Sequence, residues 1–365
     1  MIPAIFGLSG PVLTADERAF LKACRPAGYI LFRRNIGTPE EVRALTDSLR
    51  ALHGDARLPI LIDQEGGRVA RLPSPPWPAF PAAARFAEAW DRAPATAMAA
   101  ARANAEAIAR TLLALGITVD CLPVLDVPVP GADPVIGDRA LGREPLQVAA
   151  LGRAVLDGLQ AGGVVGVVKH VPGHGRATAD SHLALPVVTA SAEALEADLA
   201  PFVRLADAPM AMTAHVVYAA WDGELCASLS PTVVGEVIRG RIGFDGLLMS
   251  DDLGMAALAS QPGGETMGGR AAGVLAAGCD VALHCSGVLA EMEEVAAAVP
   301  EMGEAARARL ARAMAWAERP WRGAEAGAGE PGREADGVAP TVSALLARRD
   351  ALLAAAGVPG ADARA

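Results

Sequence analysis

Eight apolar runs rich in β-branched residues recur along the chain and alternate with stretches rich in alanine, leucine, glutamate and arginine. The runs cover residues 2–8, 28–32, 59–63, 117–127, 164–170, 209–215, 246–250 and 279–285. Helical patterns separate most of them, for example at 39–52, 97–115, 145–161, 192–205, 231–239 and 268–277. Strands that alternate with helices predict an α/β fold with a parallel sheet. Eight strands close a (β/α)8 barrel of the TIM type, which we predict as a single domain over residues 1–320.

A doubly wound open sheet is the alternative to the barrel. The fingerprint Gly-x-Gly-x-x-Gly, which opens many such sheets, does not follow the first run, and this weakens the alternative. After the barrel, residues 323–337 contain almost no large apolar side chain, so we predict a flexible linker over 321–340. A short helix at 341–355 and a terminal tail are expected within residues 341–365.

Charge and cysteine usage narrow the functional classes. The formal net charge is −10, which argues against nucleic acid as a partner because such binding needs a basic face. No run approaches the ~18 apolar residues of a membrane helix, and no basic region precedes the first run as in a secretory signal. The five cysteines form no Cys-x-x-Cys pair, which favours reduced thiols. We therefore expect a cytoplasmic protein with neither a membrane nor a nucleic acid as its partner. We also expect a monomer, although this does not follow from charge or cysteine usage.

Reactive side chains follow the ends of six predicted strands. They are Asp63, Asp126, Lys169, His215, Asp251 and His284. Active sites of (β/α)8 barrels lie at the carboxyl ends of the strands, so we expect these side chains to surround one pocket. The densest cluster runs from Lys169 to His182 and holds three of the six histidines in a loop bent by glycine and proline. Such a loop on a rigid scaffold is typical of a functional site.

One spacing within this cluster suggests a metal. His170 and His174 are four residues apart, a spacing that holds zinc when both lie on one helix. Pro172 and Gly173 lie between them and disfavour a helix. A zinc site is therefore a secondary interpretation of this loop.

Other polar residues suggest acid–base and nucleophilic chemistry. Asp180 and His182 are two residues apart, so a carboxylate can approach and orient an imidazole that exchanges protons at neutral pH. Asp251 follows the seventh run and suits a nucleophile or a metal ligand, although an aspartate there can also cap the next helix. After the third run, Asp63 can accept hydrogen bonds from paired hydroxyls and Arg71 can donate to a polar ligand.

Together, these motifs resemble glycoside hydrolase family 3, and within it the single-barrel β-N-acetylhexosaminidases. The resemblance extends over residues 3–285 and rests on motifs in a fixed order: Asp63-Gln64-Glu65-Gly66-Gly67-Arg68, Asp138-Arg139, Lys169-His170 with Pro172-Gly173-His174-Gly175, Asp180-Ser181-His182 and Ser250-Asp251-Asp252-Leu253-Gly254-Met255. It implies a retaining exo-β-N-acetylglucosaminidase of peptidoglycan recycling. The implied substrate is N-acetylglucosamine linked to 1,6-anhydro-N-acetylmuramic acid, with or without peptide. No metal and no organic cofactor are implied.

The resemblance also implies roles for individual residues. Asp251 matches the family's nucleophile, His182 its acid/base, and Asp180 the carboxylate paired with that histidine. A larger set matches positions that hold the sugar, namely Asp63, Arg71, Arg139, Lys169 and His170 at its hydroxyls, with Met212 and His215 near its N-acetyl group. Arg176 stands where many relatives have an acidic residue, and we expect it to alter loop contacts and not the reaction.

Three alternative functions stay open on the sequence. A β-glucosidase of the same family would share the nucleophile, but such members usually carry a second domain, for which little sequence follows the barrel. A phosphorylase would use phosphate in place of water, and a histidine acid/base tolerates an incoming anion. A catalytically silent sugar-binding sensor is the alternative from another class. Such a protein needs neither Asp251 nor His182, so the presence of both residues argues against it.

Overall fold

Eight parallel strands close into a barrel in the computed structural model, which describes residues 1–318 and 339–359. In chain order, the strands are Ile2–Gly7, Pro26–Leu31, Ile60–Ile62, Val119–Asp120, Val165–Val171, Met210–Thr213, Leu247–Asp252 and Val281–His284. Each strand pairs with the next, and the eighth pairs with the first, where Ala4 lies opposite Ala282. The predicted (β/α)8 barrel is confirmed, and the open sheet is wrong.

Helices connect the strands and cover the outside of the barrel. They span Ala15–Cys24, Pro39–His53, Ala84–Trp90, Pro94–Ala114, Pro145–Ala161, Ala192–Arg204, Val233–Arg241, Met267–Ala277, Leu289–Ala298, Glu304–Trp316 and Val342–Ala355. Thr14 and Thr38 mark where the first two helices begin. Each threonine hydroxyl accepts a hydrogen bond from the backbone of a glutamate three residues on, whose carboxylate accepts from the threonine N–H. This reciprocal capping satisfies donors that the first helical turn leaves free.

The fourth barrel strand is shorter than the sequence predicts. The predicted run 117–127 contributes only Val119–Asp120 to regular pairing. Pro123 follows, and proline has no N–H to donate to a neighbouring strand. Parallel pairing resumes as a single bridge between Val124 and Lys169. The irregular segment that results carries Asp126 to the side of the fifth strand.

Apolar side chains from all eight strands fill the lumen, among them Ile5, Leu61, Val167 and Met249. The helix Glu304–Trp316 lies under the amino ends of the strands and adds Leu310 and Ala313 to this cluster. The lumen is therefore a packed core, as is general for such barrels. The barrel is closed at this end, so a ligand must approach from the other.

The C-terminal helix, Val342–Ala355, packs against the long helix Pro94–Ala114. Leu353 is fully buried in the core, and Arg349 donates a hydrogen bond to Asn104 Oδ1 at 3.1 Å. The helix is thus part of the compact structure around the barrel. The predicted linker, except for residues 339–340, and the tail after residue 359 lie outside the described residues. Within the described part of the chain, no helix is long and apolar enough to cross a membrane.

Candidate active site

A cavity of about 380 Å³ opens at the carboxyl ends of the barrel strands. This volume falls within the usual range for small-molecule sites, ~300–1,000 Å³. His215 is fully buried and does not line the cavity. The other nine residues that the sequence predicts for the site all line it: Asp63, Arg71, Arg139, Lys169, His170, Asp180, His182, Met212 and Asp251.

A network of ion pairs forms one wall of the cavity. Lys169 Nζ donates to Asp63 Oδ1 at 3.1 Å and lies 2.6 Å from Glu65 Oε1. Arg71 donates to the other oxygen of Asp63 at 2.9 Å, and Arg139 holds Glu65 through two hydrogen bonds of 2.8 Å. Glu65 was not among the predicted site residues, although it lies in the same motif as Asp63. The network joins residues that follow the third and fourth strands to Lys169 of the fifth strand.

The charges in this network stabilise one another. Burial by itself would raise the pKa of the Asp63 and Glu65 carboxyls, but Lys169 and the neighbouring arginines outweigh it and hold both values below the ordinary range. Burial would likewise lower the pKa of Lys169 and Arg139, but the neighbouring carboxylates, Glu65 foremost and Asp63 with it, together outweigh burial and raise both values. These four groups are therefore charged at neutral pH. A fixed set of charged donors and acceptors suits the recognition of hydroxyl groups.

Asp251 lies near the end of the seventh strand, with its carboxylate at the cavity. Asp251 Oδ1 accepts a hydrogen bond from the N–H of Asp252 at 2.8 Å. Burial would raise the pKa of Asp251, but His170 and His215 outweigh it, and the pKa lies below its ordinary value. An ionised carboxylate in a partly buried wall is suited to act as a nucleophile.

The adjacent Asp252 carries the structural contacts of this turn. Its Oδ1 accepts hydrogen bonds from Gly254 N at 3.1 Å and from Cys285 N at 2.9 Å. The two neighbouring aspartates thus have different roles, a distinction that the sequence left open. Asp252 fixes the turn, which leaves Asp251 available for chemistry.

Asp180 and His182 form a pair at the mouth of the cavity. His182 Nδ1 lies 2.7 Å from Asp180 Oδ1, which also accepts the backbone N–H of His182 at 2.9 Å. Slight burial would raise the pKa of Asp180, but these hydrogen bonds outweigh it and lower the value. The carboxylate therefore stays ionised and holds the ring at Nδ1. The His182 side chain is 62% exposed, so its other nitrogen can reach a ligand or water.

Asp126 connects the two histidines that invited a metal interpretation. One carboxylate oxygen lies 2.7 Å from His170 Nδ1, and the other accepts the N–H of His174 at 2.6 Å. Burial would raise the pKa of Asp126, but His170 and His174 together outweigh burial and lower the value to about 2. This contact leaves His170 Nε2 as the ring nitrogen available to a ligand. The sequence placed Asp126 at a strand end, but its role depends on partners more than forty residues away.

The zinc interpretation has no support from the arrangement of donors. His170 Nδ1 is engaged by Asp126, and His174 Nε2 lies 3.0 Å from Ser181 Oγ. Among residues 1–318 and 339–359, no group of three or more histidine, cysteine, aspartate or glutamate side chains is placed to hold a metal ion.

His215 lies behind the nucleophile instead of facing the cavity. His215 Nε2 lies 3.0 Å from the carbonyl oxygen of Asp252, and Nδ1 lies 2.7 Å from Ser228 Oγ. Burial lowers the pKa of His215, which favours the neutral ring. A neutral ring with its proton on Nε2 can donate to that carbonyl. His215 therefore contacts the backbone next to Asp251, whereas Met212, on the strand that ends just before His215, lines the cavity.

Arg176 takes part in contacts of the loop after the fifth strand. Its Nε donates to Asp198 Oδ2 at 2.6 Å, and its Nη2 donates to the carbonyl of Ala194 at 3.0 Å. Burial raises the pKa of Asp198 to about 6, while Arg176 acts in the opposite direction. The loop after the fifth strand is thereby tied to the helix Ala192–Arg204.

Comparison with known proteins identifies relatives over most of the chain. Residues 9–317 match the family described as glycosyl hydrolase family 3 N terminal domain. The β-hexosaminidase of Alkalilimnicola ehrlichii is 44% identical over 287 residues, which cover 78% of this chain and 80% of that protein. The β-hexosaminidase of Thioalkalivibrio sulfidiphilus is 40% identical over 328 residues, 87% of this chain and 91% of that protein.

Solved structures with the same fold agree with this assignment. NagZ from Neisseria gonorrhoeae, in complex with N-trifluoroacetyl-D-glucosamine, has a TM-score of 0.80 and 31% identity, and the match covers 97% of this chain and 98% of that one. A glycoside hydrolase family 3 β-N-acetylglucosaminidase from a Paenibacillus species has a TM-score of 0.78 and 31% identity, and covers 95% of this chain and 66% of that one.

Proposed function

This chain belongs to glycoside hydrolase family 3 and is a hydrolase of the β-hexosaminidase type, and from that premise we propose that it is a retaining exo-β-N-acetylglucosaminidase. In this proposal, it removes terminal N-acetylglucosamine from peptidoglycan fragments that carry 1,6-anhydro-N-acetylmuramic acid, with or without peptide. The fragment and the role in cell-wall recycling rest on the resemblance to the family. Asp251 and His182 supply the reacting groups, so the proposed reaction calls for neither a metal nor an organic cofactor.

One observation carries the proposal: an ionised carboxylate and a carboxylate–imidazole pair line the same cavity. Retaining glycosidases need one group as the nucleophile and a second group that acts first as an acid and then as a base. Asp251 suits the first role and His182 the second. Glu65 is held by Arg139 and Lys169, so this glutamate is engaged in the wall and is not free to exchange a proton.

In the first proposed step, Asp251 attacks the anomeric carbon and forms a glycosyl ester. The bond to the leaving oxygen breaks, and its electron pair stays on that oxygen. The protonated ring of His182 donates its proton there, while Asp180 stabilises the positive ring through the 2.7 Å contact. General acid assistance of this kind contributes roughly 10²–10⁴ in rate.

In the second proposed step, the neutral ring of His182 removes a proton from water. The resulting hydroxide attacks the anomeric carbon and displaces Asp251 as a carboxylate. Two inversions leave the configuration of the sugar unchanged. The Asp63–Lys169 and Glu65–Arg139 pairs supply charged hydrogen-bonding groups for the sugar hydroxyls, which fixes the ring during both steps.

The proposed cellular location is the cytoplasm. All five cysteines are free thiols, and four of them are buried. Free thiols throughout a chain are characteristic of proteins from a reducing compartment. This observation supports the location that peptidoglycan recycling requires.

The test is release of nitrophenol from 4-nitrophenyl N-acetyl-β-D-glucosaminide by the wild type and Asp251→Asn. We expect turnover by the wild type and loss of turnover in the variant. Asp47→Asn is the matched control, because Asp47 lies on an exposed helix face and pairs only with Arg43 in the described contacts. This control should retain full activity.

The same assay with and without inorganic phosphate tests hydrolysis against phosphorolysis. A rate that does not change with phosphate, and free N-acetylglucosamine as the product, are expected. A rate that rises with phosphate and a sugar phosphate product would replace the hydrolase by a phosphorylase. Unaltered turnover by Asp251→Asn would overturn the assignment of the nucleophile.

A further inference from the structure

Ser181 lies between the two residues of the acid/base pair but faces the other way. Ser181 is 3% exposed, whereas the His182 side chain is 62% exposed and the Asp180 side chain 28%. A buried polar side chain needs a hydrogen-bond partner to offset its loss of hydration. The partners of Ser181 therefore show what holds this short segment in place.

Two contacts hold Ser181. Its Oγ lies 3.0 Å from Nε2 of His174, which is itself buried, and its carbonyl oxygen accepts the N–H of Ala257 at 3.2 Å. His174 is fixed in turn, because its backbone N–H donates to Asp126 Oδ1 at 2.6 Å. Ala257 belongs to the segment that follows Asp251. Ser181 thus joins the segment of the acid/base pair to His174, just after the fifth strand, on one side and to the nucleophile's loop on the other.

The first part of this loop is held independently. Tyr218 donates its hydroxyl to the carbonyl of Gly173 at 2.8 Å, and Asp133 N donates to the carbonyl of Ala177 at 2.8 Å. Arg176 binds Asp198 in the same stretch. After Ala177 the chain moves away from these contacts, and Ser181 supplies the next hydrogen bonds to other elements.

The segment from Asp180 onward behaves as one unit. The carbonyl of Asp180 accepts hydrogen bonds from Leu183 N at 2.9 Å and from Ala184 N at 3.0 Å. Because Asp180 Oδ1 accepts the backbone N–H of His182 and also contacts its ring Nδ1, the ring is tied to this turn. Fixing Ser181 therefore fixes the position of the His182 ring relative to the cavity.

We propose that Ser181 and His174 are positioning residues for the acid/base, and that the hydrogen bond between their side chains holds the Asp180–His182 pair over the cavity. The inference rests on the proposed function, because it assigns Asp180 and His182 to proton transfer. Neither Ser181 nor His174 needs to contact the sugar. Without the bond, Ser181 keeps only its backbone contact with Ala257, and the imidazole spends less time within reach of the leaving oxygen.

The inference predicts that the loss of activity caused by breaking this hydrogen bond depends on the leaving group of the substrate. A phenolate is a poor leaving group and needs a proton from His182, whereas 2,4-dinitrophenolate departs without one. The ratio kcat/KM reports only the steps up to formation of the glycosyl-enzyme, so it isolates this proton transfer. A defect in folding or sugar binding would lower kcat/KM for both substrates alike.

The experiment compares Ser181→Ala with the wild type on phenyl and 2,4-dinitrophenyl N-acetyl-β-D-glucosaminide. We expect the loss of kcat/KM on the phenyl substrate to exceed the loss on the dinitrophenyl substrate by about tenfold or more, within the range of acid assistance. Ser191→Ala is the matched control. The Ser191 hydroxyl caps the helix Ala192–Arg204, so this variant also loses a serine hydrogen bond near the loop, but both substrates should behave as in the wild type.

A double-mutant cycle with His174→Phe gives a second measurement. The ring of phenylalanine fills the space of the imidazole but cannot bond to Ser181. If the two side chains act through their shared bond, the double variant should lose no more kcat/KM on the phenyl substrate than the more affected single variant. Thermal unfolding of each variant shows whether it is folded. If His174→Phe does not fold, the result with Ser181→Ala alone tests the proposed positioning role.

The possible results separate this inference from the proposed function. Equal losses on both substrates, or no loss on the phenyl substrate, by Ser181→Ala would overturn the inference while the wild-type activity stands. No turnover of either substrate by the wild type would overturn the proposed function and the inference with it. A loss confined to the phenyl substrate supports both.

Discussion

Lys169 Nζ lies 3.1 Å from Asp63 Oδ1, so a cation of the fifth barrel strand faces a carboxylate that follows the third. Both side chains are largely buried, with 3% and 14% of their surface exposed. Each holds the other in its charged form at the wall of the cavity. The pair therefore affects both the stability of the barrel and the binding of a sugar.

Lys169→Met should destabilise the fold and weaken substrate binding. The change leaves Asp63 and Glu65 without a cation that both contact, and removing one partner of a buried ion pair costs about 3–5 kcal/mol. Urea unfolding measures the loss of stability, and KM measures the loss of binding. Arg43→Met is the control, because the exposed Arg43–Asp47 pair contributes only about 0–1 kcal/mol. Equal midpoints for the two variants would contradict the role assigned to Lys169.

Asp120 should make the barrel less stable as the pH rises. Its Oδ1 accepts Gln64 N at 3.0 Å, but its buried Oδ2 has no hydrogen-bond partner. Burial raises the pKa of Asp120 to about 8. Between about pH 4 and pH 8, the folded state therefore keeps a proton that the unfolded state has lost, and stability falls by up to about 1.4 kcal/mol per pH unit.

Asp120→Asn removes this titration and keeps the size of the side chain. Urea unfolding at several pH values should show a stability that decreases less steeply with pH in the variant than in the wild type. Asp16→Asn, at an exposed position of the first helix, should leave the wild-type slope unchanged. A variant slope equal to that of the wild type would show that Asp120 is ionised in the folded state.

His215→Phe should lower kcat and leave KM nearly unchanged. His215 contacts the carbonyl of Asp252 and not the cavity, so its loss displaces the backbone that carries Asp251 without removing a sugar contact. A small displacement of a reacting group costs roughly 10–100-fold in rate. Steady-state kinetics with 4-nitrophenyl N-acetyl-β-D-glucosaminide separates the two constants. A large increase in KM with unchanged kcat would instead place His215 in substrate binding.

His182→Ala should lose roughly 10²–10⁴ in kcat on the phenyl substrate, which corresponds to loss of the acid and base steps. Azide is a nucleophile that needs no base, so it should restore turnover of a dinitrophenyl substrate, on which the first step needs no acid. The product should be the β-glycosyl azide, because azide displaces Asp251 from the covalent ester. Nuclear magnetic resonance identifies the anomer. An α-azide would contradict the two-step mechanism.

Leu353→Ala should destabilise the whole protein. Leu353 is fully buried where the C-terminal helix packs on the barrel's outer helices, and such a truncation costs about 2–5 kcal/mol. Leu352→Ala, at the neighbouring and more exposed position, should cost clearly less. The measurement is the free energy of unfolding in urea. Equal small losses in the two variants would mean that the C-terminal helix adds little to the stability of the barrel.

The barrel and most of the cavity wall could be predicted because they follow from local patterns. Alternating apolar runs and helical stretches indicate the architecture, and polar residues at strand ends indicate the site. The short fourth strand could have been foreseen from Pro123, whose missing N–H interrupts pairing.

The contacts that shape the site could not be predicted from local patterns. Glu65 depends on Arg139, which is 74 residues away in the sequence, and Asp126 depends on His170, which is 44 residues away. The position of His215 depends on side-chain direction at the end of a strand, where the period-two alternation of the strand breaks down. Ser181 stands between two reactive residues in the sequence, and only its burial and its partners show its place in the loop.

The helix Glu304–Trp316 seals the barrel beneath the packed lumen, and this has a consequence for the order of events during turnover. A sugar chain cannot pass through a barrel that is closed at one end. A substrate must therefore enter at the carboxyl ends of the strands. In the proposed reaction, both products must therefore leave by the same opening through which the substrate entered. The next fragment can bind only after that opening is clear, so product departure precedes each new binding event.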